Sequence, residues 1–468
     1  MSLPVPELAD RATACADILR ESDHVLLVSH IDADGLTSAS VAVSALSRAG
    51  CDVDVWFSKQ LDTEQIEALT AHANETILFT DFGSGQLAAI LEHGDTDRIV
   101  ICDHHEPAPG DAPYHLNPHL FGIDGSKEIS GAGTAYVLAR ALGGESNCDL
   151  AGLAVVGAVG DMQASEGELH GANASIVKEA VTAGVLDTAT DLSFYGTQTR
   201  PLPKLLEYAS DVRIPGITND RSGSRKFLED QDIELKDGDE WRRWVDLTMD
   251  EKRRVVGGLV TKAMHNGVKP ERIETLTGTT YTLLDEVEGT ELRDASEFST
   301  LLNATARYDR ADVGLAVCLG DRNAAYTRAK RLLANHRRNL SEGLEWVRSN
   351  GVTTESHLQW FDAGTRIPDT IVGIVAGMAL GIRGIDGNRP IIAFAEESTT
   401  ELKVSGRGTA RLVRNGLDLS EVMREASTAV GGDGGGHTVA AGATIPASQR
   451  DAFLAHADEI VGTQMSSL

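Results

Sequence analysis

Aspartate and histidine residues recur at four points where an apolar segment of the chain ends. The four segments read SHIDADG, FTDFGSG, CDHH and GAVGDMQ, and they contain His30, Asp32, Asp34, Asp81, Asp103, His104, His105 and Asp161. A buried carboxylate is very costly unless it is paired, caps a helix or binds a metal. Mixed carboxylate and imidazole ligands suit Mn²⁺, with Mg²⁺ as the second choice, and carboxylates two residues apart can serve two neighbouring ions.

Each aspartate also has a simpler interpretation. Asp34 could cap a helix that begins at Thr37, and Asp81 could cap a helix after Gly83. Asp161 could end a helix and have no further role. Helix caps need no companion histidines and could equally be Ser or Thr, so the four segments taken together favour a metal centre.

A doubly wound parallel α/β sheet would bring these segments together. From residue 24 to about 103, predicted strands (HVLLVS, DVDVWF, TILFT, RIVIC) alternate with predicted helices (TSASVAVSALSRA, TEQIEALTAHA, GQLAAILEH). Ligands of such sheets bind at the carboxyl ends of the strands, which is where the aspartates fall. The following segments GAGTAYVLARALG, CDLAGLAVVGAVGDM and ANASIVKEAVTAG predict helices that complete a first domain over residues 1–190.

The remaining chain predicts three further parts. Weak periodicity over 191–320 indicates a middle or insertion domain, 321–354 reads as one long connecting helix, and strands and helices alternate again over 355–468, which predicts a smaller α/β domain. The helix region is rich in cations: Arg322, Arg328, Lys330, Arg331, Arg337 and Arg338. These cations form either a solvated face with intrahelical ion pairs or a surface that contacts a phosphate backbone.

Two glycine-containing segments of the smaller domain predict phosphate binding. The first contains Gly434, Gly435, Gly436 and His437. Successive glycines let backbone amides approach a phosphate, and the histidine can donate to it. The second segment, SGRG, is predicted to be a loop in which Ser405 and Arg407 contact a phosphate, the arginine in bidentate fashion.

The composition is strongly acidic. Asp and Glu number 70 against 42 Lys and Arg, which gives a net charge of −28. The acids are spread along the chain, so we favour adaptation to high salt, a halophilic surface, over a cationic partner. This charge opposes binding of nucleic acid at long range, but in strong salt only local contacts count.

Other features indicate a cytoplasmic protein that has no contact with a membrane. No apolar run approaches the roughly 20 residues that would span a bilayer, and the N-terminal residues MSLPVPELADRATA do not have the pattern of a signal peptide. The five cysteines are scattered without CxxC spacing, which is typical of reduced core residues.

The four Asp and His segments resemble the motifs of the DHH phosphoesterase superfamily. IDADGLTS resembles its first motif, FTDFGSG the second, CDHHEP the third and GAVGDMQ the fourth, and GGGHTVAAG resembles the signature of the associated DHHA1 domain. Within the superfamily, the chain looks most like the RecJ-like single-strand exonucleases, in particular archaeal RecJ-like proteins of the GINS-associated nuclease type. The resemblance covers the chain apart from roughly residues 190–310.

This resemblance implies a centre of two Mn²⁺ ions, or alternatively Mg²⁺. Asp32 and Asp81 would hold one ion, and Asp34, Asp81, His104 and Asp161 would surround the other. Asp81 would therefore bridge the two ions. Such a pair, about 3.5–4 Å apart, activates water and neutralises charge at a phosphate.

The resemblance also implies roles for the neighbouring residues. His105 would face the scissile phosphate, and Asp103 would position the two histidines. His30 would either bind a metal or orient Asp32. Arg407 and His437 would hold a neighbouring phosphate.

The implied activity is exonucleolytic hydrolysis of single-stranded DNA or RNA to mononucleotides, in DNA replication or repair. The implied partners are the single-stranded nucleic acid and GINS or other replisome proteins. Two alternatives stay open at this point. One is a phosphodiesterase acting on small substrates such as oligoribonucleotides or cyclic dinucleotides, and the other is a Cdc45-like replication scaffold.

Overall fold

A computed structural model describes residues 3–71, 76–209, 212–382 and 384–466. The chain divides into two compact units, Met1–Lys330 and Arg331–Leu468. The predicted fold class is confirmed: a parallel sheet, a middle domain and a smaller domain with a mixed sheet follow one another along the chain. Across the described ranges, no helix combines the length and apolar character needed to cross a membrane.

The first domain is built on a five-stranded parallel sheet in the order β2-β1-β3-β4-β5. Its strands are β1 His24–His30, β2 Asp52–Ser58, β3 Thr76–Thr80, β4 Ile99–Cys102 and β5 His115–Leu116. Its helices are α1 Ala9–Arg20, α2 Ala33–Arg48, α3 Thr63–Thr70, α4 Leu87–His93, α5 Gly131–Gly143, α6 Ala151–Gly160 and α7 Gly171–Thr182. Every residue of β3 and β4 is buried, as expected for strands that helices cover on both faces.

The strand order changes direction between β1 and β3. In a doubly wound sheet, the crevice at such a switch point is where ligands bind. The SHIDADG segment follows β1 and the FTDFGSG segment follows β3, so the sheet topology places both at this crevice.

Helix α2 begins earlier than the sequence predicted. It starts at Ala33 instead of Thr37, and Asp32 is its N-cap, accepting a hydrogen bond from the Gly35 amide at 2.9 Å. Asp34 therefore lies inside the first turn and cannot be the cap of this helix. The physical reason is that the Asp32 carboxylate satisfies one of the free amides at the helix N-terminus.

The middle domain lies between two strands that pair with each other. β6 Leu186–Leu192 and β9 Thr277–Leu283 form an antiparallel ribbon, and the chain between them has its own apolar core around Trp244. The elements enclosed are α8 Leu202–Glu207, α9 Arg221–Asp230, β7 Lys236–Asp237, β8 Glu240–Trp241, α10 Met249–His265 and α11 Pro270–Glu274.

Two helices after the ribbon return to the first domain. α12 Ala295–Ala306 and α13 Ala311–Cys318 pack against α2, and α12 also packs against α6. Our predicted middle domain of 191–320 included both helices. The predicted domain boundaries stay predictions, but α12 connects the middle domain with the sheet that carries the aspartates.

The second unit contains a six-stranded mixed sheet in the order β10-β11-β12-β13-β15-β14. Its strands are β10 Thr353–Thr354, β11 Gln359–Asp362, β12 Ile391–Glu396, β13 Glu401–Arg407, β14 Asp433–Gly436 and β15 Ala440–Pro446. The helices from residue 324 onward are α14 Ala324–Asn350, α15 Asp369–Ala379, α16 Ala410–Arg414, α17 Leu419–Ala429 and α18 Arg450–Ser466. The long helix predicted over 321–354 corresponds to α14.

Both segments that we predicted as phosphate loops are strands, so this part of the prediction is wrong. Ser405 and Arg407 belong to β13, and Gly434 to Gly436 form most of β14. β15 lies between the two strands, and its Gly442 pairs with both Ser405 and Gly435. Glycine is tolerated in β13, β14 and β15 because the absence of a side chain allows a neighbouring backbone to approach closely.

Candidate metal centre

Asp81 occupies a sharp turn at the carboxyl end of β3. Its φ is 60°, a left-handed value that is uncommon for residues other than glycine. Its backbone amide donates to the Cys102 carbonyl at the end of β4. This turn places the buried carboxylate of Asp81 in the crevice at the carboxyl ends of β1, β3 and β4.

The first group of potential metal ligands consists of His30, Asp32 and Asp81. His30 Nδ1 lies 3.2 Å from Asp32 Oδ2 and 3.6 Å from Asp81 Oδ2. One ligand atom from each of the three residues lies within 4.8 Å of the others. The structure therefore places His30, whose role the sequence left open, among the atoms that could hold an ion.

The second group consists of Asp34, His104 and Asp161. His104 Nε2 lies 3.6 Å from Asp34 Oδ2 and 3.2 Å from Asp81 Oδ1. His104 Nδ1 is 2.7 Å from the Gly125 carbonyl, which holds the proton on Nδ1 and leaves Nε2 to face the carboxylates. Asp81 thus contributes one oxygen to the first group and directs the other toward the second.

The donor set fits divalent cations. Asp81 Oδ1 is buried and has no hydrogen-bond partner, which is a costly state for a carboxylate oxygen unless a cation binds it. Burial and the neighbouring Asp81 raise the pKa of Asp34 well above its usual value, and burial raises the pKa of Asp161 to about 6. Crowded carboxylates with two imidazoles are the ligand types that suit Mn²⁺ or Mg²⁺.

Asp34 also supports the fold around the centre. Its carboxylate accepts hydrogen bonds from the Gly131 amide at 2.7 Å and the Ala132 amide at 2.9 Å, the first residues of α5. Asp34 therefore accepts from two free amides at the N-terminus of α5, whose N-cap is Ser130, and not from its own helix. The positive end of the α5 dipole stabilises a carboxylate at this position.

The carboxylates beside His30 favour its protonated form when no cation is bound, and an ion held by His30 would replace that proton. Burial lowers its pKa, but hydrogen bonds and charge interactions with Asp32 and Asp81 outweigh this effect and raise the pKa to about 11. Burial acts to raise the pKa of Asp32, but the hydrogen bond and the charge of His30 outweigh it and lower the pKa to about 2. The first group is thus strongly negative without this proton.

Asp103 contacts both histidines that follow it in the chain. It is fully buried, and its Oδ1 accepts hydrogen bonds from His105 Nδ1 at 2.8 Å, from the His104 amide at 2.8 Å and from the His105 amide at 3.2 Å. Its Oδ2 accepts from the Ser84 amide at 2.9 Å. The side chain of His105 is 56% exposed, and one of its ring nitrogens lies within 4.8 Å of ligand atoms of Asp81 and His104, so His105 borders the metal ligands as well as solvent.

Sequence reasoning missed two residues at the end of α12. Asn303 Oδ1 accepts a hydrogen bond from the Ala33 amide at 3.0 Å, and so fixes the turn that carries Asp32. Arg307 lies within electrostatic range of Asp32. The segment LLNATAR shows that an amide and a cation lie near the end of an apolar helix, but it does not identify their partners.

The candidate phosphate ligands of the second unit lie at one end of its sheet. Arg407 is the last residue of β13, and its backbone neighbour is Ala440 of β15. His437 is exposed and begins the tight turn from β14 to β15, in which its amide donates to the Ala440 carbonyl. Ser405 is buried, and its hydroxyl and the Arg407 guanidinium both lie against Gly373 of α15. Their proposed contact with phosphate stays a prediction.

Three protein-family models match the chain in the order of its domains. The N-terminal domain of the DHH family matches residues 24–158, the DHH-CID domain matches residues 194–277, and the DHHA1 domain matches residues 359–463. The motif resemblance had left out roughly residues 190–310. The DHH-CID match corrects this, because it covers most of that region.

Comparison with known proteins identifies relatives over the whole chain and over part of it. An uncharacterized protein of Methanocaldococcus jannaschii is 31% identical over 457 residues, which are 96% of this chain and 95% of the relative. The single-stranded-DNA-specific exonuclease RecJ of Thermus thermophilus is 28% identical over 191 residues, 38% of this chain but only 28% of that protein.

The fold is also similar to a solved structure. The crystal structure of Thermus thermophilus RecJ in complex with Mn²⁺ covers 99% of this chain, and this chain covers 56% of it, with a TM-score of 0.60 at 20% sequence identity. That likeness concerns the fold alone. The ordered domain matches, together with 31% identity over nearly all of two whole chains, show that the protein belongs to the DHH phosphoesterase superfamily as a RecJ-like member.

Proposed function

We propose that this protein is an exonuclease that hydrolyses phosphodiester bonds of single-stranded nucleic acid with two Mn²⁺ or Mg²⁺ ions and releases mononucleotides. The observation that carries the proposal is the position of Asp81, whose two carboxylate oxygens lie toward two separate ligand groups. A carboxylate shared in this way can hold two ions close enough together to act on one phosphate.

The residues have distinct roles in this proposal. His30, Asp32 and Asp81 would hold one ion, and Asp34, His104 and Asp161, with Asp81, would hold the other. When bound, such ions supply a water nucleophile at neutral pH and neutralise charge on the phosphate. The remaining roles in the reaction belong to side chains of the protein.

His105 would donate a hydrogen bond from Nε2 to a phosphate oxygen. Its hydrogen bond to Asp103 raises the pKa of His105, which favours the protonated form that can donate. Arg307, beside Asp32, would add positive charge at the same phosphate. Asp103 and Asn303 would hold the histidine and the Asp32 turn in place, so that little reorganisation is needed during the reaction.

The substrate class is supported by similarity to RecJ, which is named a single-stranded-DNA-specific exonuclease in Thermus thermophilus. The direct test is digestion of end-labelled single-stranded DNA and RNA at high salt, with Mn²⁺ or Mg²⁺ and with EDTA as the metal-free control. We expect mononucleotides with either metal ion and no product with EDTA. The absence of product from both nucleic acids would overturn the proposal.

The variant Asp81→Asn distinguishes catalysis by this protein from a contaminating nuclease and from a non-catalytic scaffold role. Asp81→Asn keeps the size of the side chain but removes the shared charge, so we expect activity to fall by on the order of 1,000-fold or more while the circular dichroism spectrum is unchanged. Faster turnover of a dinucleotide than of a long strand would instead support a small-substrate phosphodiesterase. Full activity of Asp81→Asn would contradict the metal assignment.

A further inference from the structure

An open pocket of about 600 Å³ lies at the carboxyl end of β2. β2 pairs with β1, and Phe57 lies beside Ser29, one residue before His30. Ile31, which stands between His30 and Asp32 in the chain, forms part of the pocket wall. The pocket is therefore directly adjacent to the first ligand group, although none of its lining residues belongs to that group.

The pocket has an apolar, aromatic wall. Trp56 and Phe57 are successive residues of β2, and both line the pocket and are half-buried. Side chains of successive strand residues point to opposite faces, and both can reach one pocket here because β2 is the edge strand of its sheet. An aromatic face that is half open to solvent can stack on a nucleobase.

The polar wall of the pocket is acidic. Asp62, Asp309 and Asp312 line it, and the ammonium group of Lys59 is paired with Asp309 at 2.5 Å. Asp312 is likewise paired with Arg310, and Asp62 caps α3. The wall therefore carries no net positive charge, and its carboxylates disfavour a phosphate, which is itself negative. They favour a neutral group that presents N–H donors, as the edges of nucleobases do.

The volume agrees with this type of ligand. Pockets for small molecules occupy about 300–1,000 Å³ and combine an apolar wall with a few polar groups. Gln60 provides such a group beside the carboxylates, whereas the side-chain oxygen of Gln65 accepts a hydrogen bond from the Asp62 amide at the start of α3. The pocket thus offers a stacking surface and hydrogen-bond acceptors beside Ile31, the residue between His30 and Asp32 in the chain.

We propose that this pocket binds the base of the nucleotide next to the phosphate held at the metal centre, with Phe57 as the stacking surface. This base subsite rests on the proposed function, because it assigns the pocket to the same substrate. The enzyme would then bind a base in this pocket while the metal centre acts on the phosphate of the nucleic-acid backbone.

The test uses oligonucleotides in which a single base is removed, one position at a time, while every phosphate is kept. We expect one abasic position near the cleaved bond to lower kcat/KM of the wild-type protein about 5-fold to 150-fold, the range that corresponds to loss of one base–aromatic stack. Phe57→Leu should lower kcat/KM on the intact strand and show little further loss on the abasic one. Equal rates for intact and abasic strands at all positions would overturn the subsite.

Control variants keep the result interpretable. Val55 belongs to the same strand and does not line the pocket, so Val55→Ala should retain the full abasic penalty. Gln60→Ala, at an exposed position of the pocket, should fold normally and reduce the penalty even if Phe57→Leu does not fold. A full penalty in both pocket variants would contradict the proposal.

A binding experiment distinguishes failure of the subsite from failure of the proposed function. Fluorescence anisotropy of labelled intact and abasic oligonucleotides, with Ca²⁺ in place of Mn²⁺, measures affinity without hydrolysis. If no strand is ever cleaved but the wild-type protein binds the abasic strand more weakly and Phe57→Leu does not, the exonuclease proposal fails and the base pocket stands. If affinity does not depend on the base, the pocket assignment fails.

Discussion

Gly131 provides the space that the Asp81 carboxylate needs. A Cβ atom at position 131 would lie 2.4 Å from Asp81 Oδ1 and 2.9 Å from its Cγ. Asp81 cannot easily move away because its backbone is already in the left-handed region. We expect Gly131→Ala to weaken Mn²⁺ binding at least about 10-fold, as measured by titration calorimetry.

Gly152→Ala is the matched control for this prediction. Gly152 lies in α6, and the nearest atoms to a Cβ at this position are 3.9 Å away. An alanine is accommodated there without strain, so Mn²⁺ affinity should match that of the wild-type protein. Unchanged affinity in Gly131→Ala as well would show that Asp81 does not bind the metal in this orientation.

Asp103 and His105 should respond differently to substitution. Asp103→Asn leaves at least one buried N–H donor without its acceptor, at a cost of about 1–3 kcal/mol in the free energy of unfolding. His105→Ala removes a side chain that is 56% exposed and leaves Asp103 its three backbone amide donors, so it should cost less stability than Asp103→Asn while kcat falls. Urea unfolding and steady-state kinetics on both variants measure this contrast, and a loss of stability in His105→Ala as large as that in Asp103→Asn would contradict it.

Glu297 links helix α12 to the start of the middle domain. Its carboxylate is fully buried and accepts hydrogen bonds from the Gln198 amide at 2.8 Å and from the Thr199 hydroxyl. Burial raises the pKa of Glu297 from 4.5 to about 7. The same helix contacts the Asp32 turn through Asn303, which accepts from the Ala33 amide.

The raised pKa predicts how stability changes with pH. Between about pH 4.5 and 7 the folded protein holds a proton on Glu297 that the unfolded chain has lost, so this group makes stability fall as pH rises and has no further effect above pH 7. The total effect is on the order of 3 kcal/mol. Glu297→Gln should remove it, and urea unfolding at pH 5 to 8 would contradict the prediction if both proteins gave parallel curves.

The parallel sheet could be predicted from sequence because its signals are local. The strands β1, β3 and β4 are short apolar runs bounded by polar residues, and the Asp and His segments follow them directly. The glycine-rich β14 was assigned to a loop because glycine has a low intrinsic preference for strands. Its pairing with β15 is a tertiary contact, which overrides that preference.

The role of Asn303 could not be predicted for a related reason. Its partner, the Ala33 amide, is 270 positions earlier in the chain, and no periodic pattern connects the two. Their contact exists only because α12 packs against α2 after the middle domain has formed a separate core. Residues brought to a site across an inserted domain are therefore the ones that local patterns miss.

Charge is distributed unevenly along the chain. Residues 194–277 contain 15 Lys and Arg and 15 Asp and Glu, so the net charge of −28 is carried entirely by the remainder of the sequence. Local pairs use part of the positive charge: Arg322, one of the cations that we assigned to the helix region, forms an ion pair with Glu286. The middle domain is therefore close to neutral and repels an anionic polymer less than the acidic remainder of the chain does on average.

The excess of acids outside the middle domain predicts a dependence of stability on salt. Like charges on a folded surface repel one another, and this repulsion is relieved in the expanded unfolded chain. The Debye length falls from about 10 Å at 0.1 M salt to about 3 Å at 1 M, so we expect Tm to rise with KCl and most of the gain to occur below about 1 M. Scanning calorimetry at 0.1, 0.5, 1 and 3 M KCl measures this. A Tm that does not change between 0.1 and 1 M would contradict the repulsion argument, whereas a further rise between 1 and 3 M would point to hydrated carboxylates as a second source of stability.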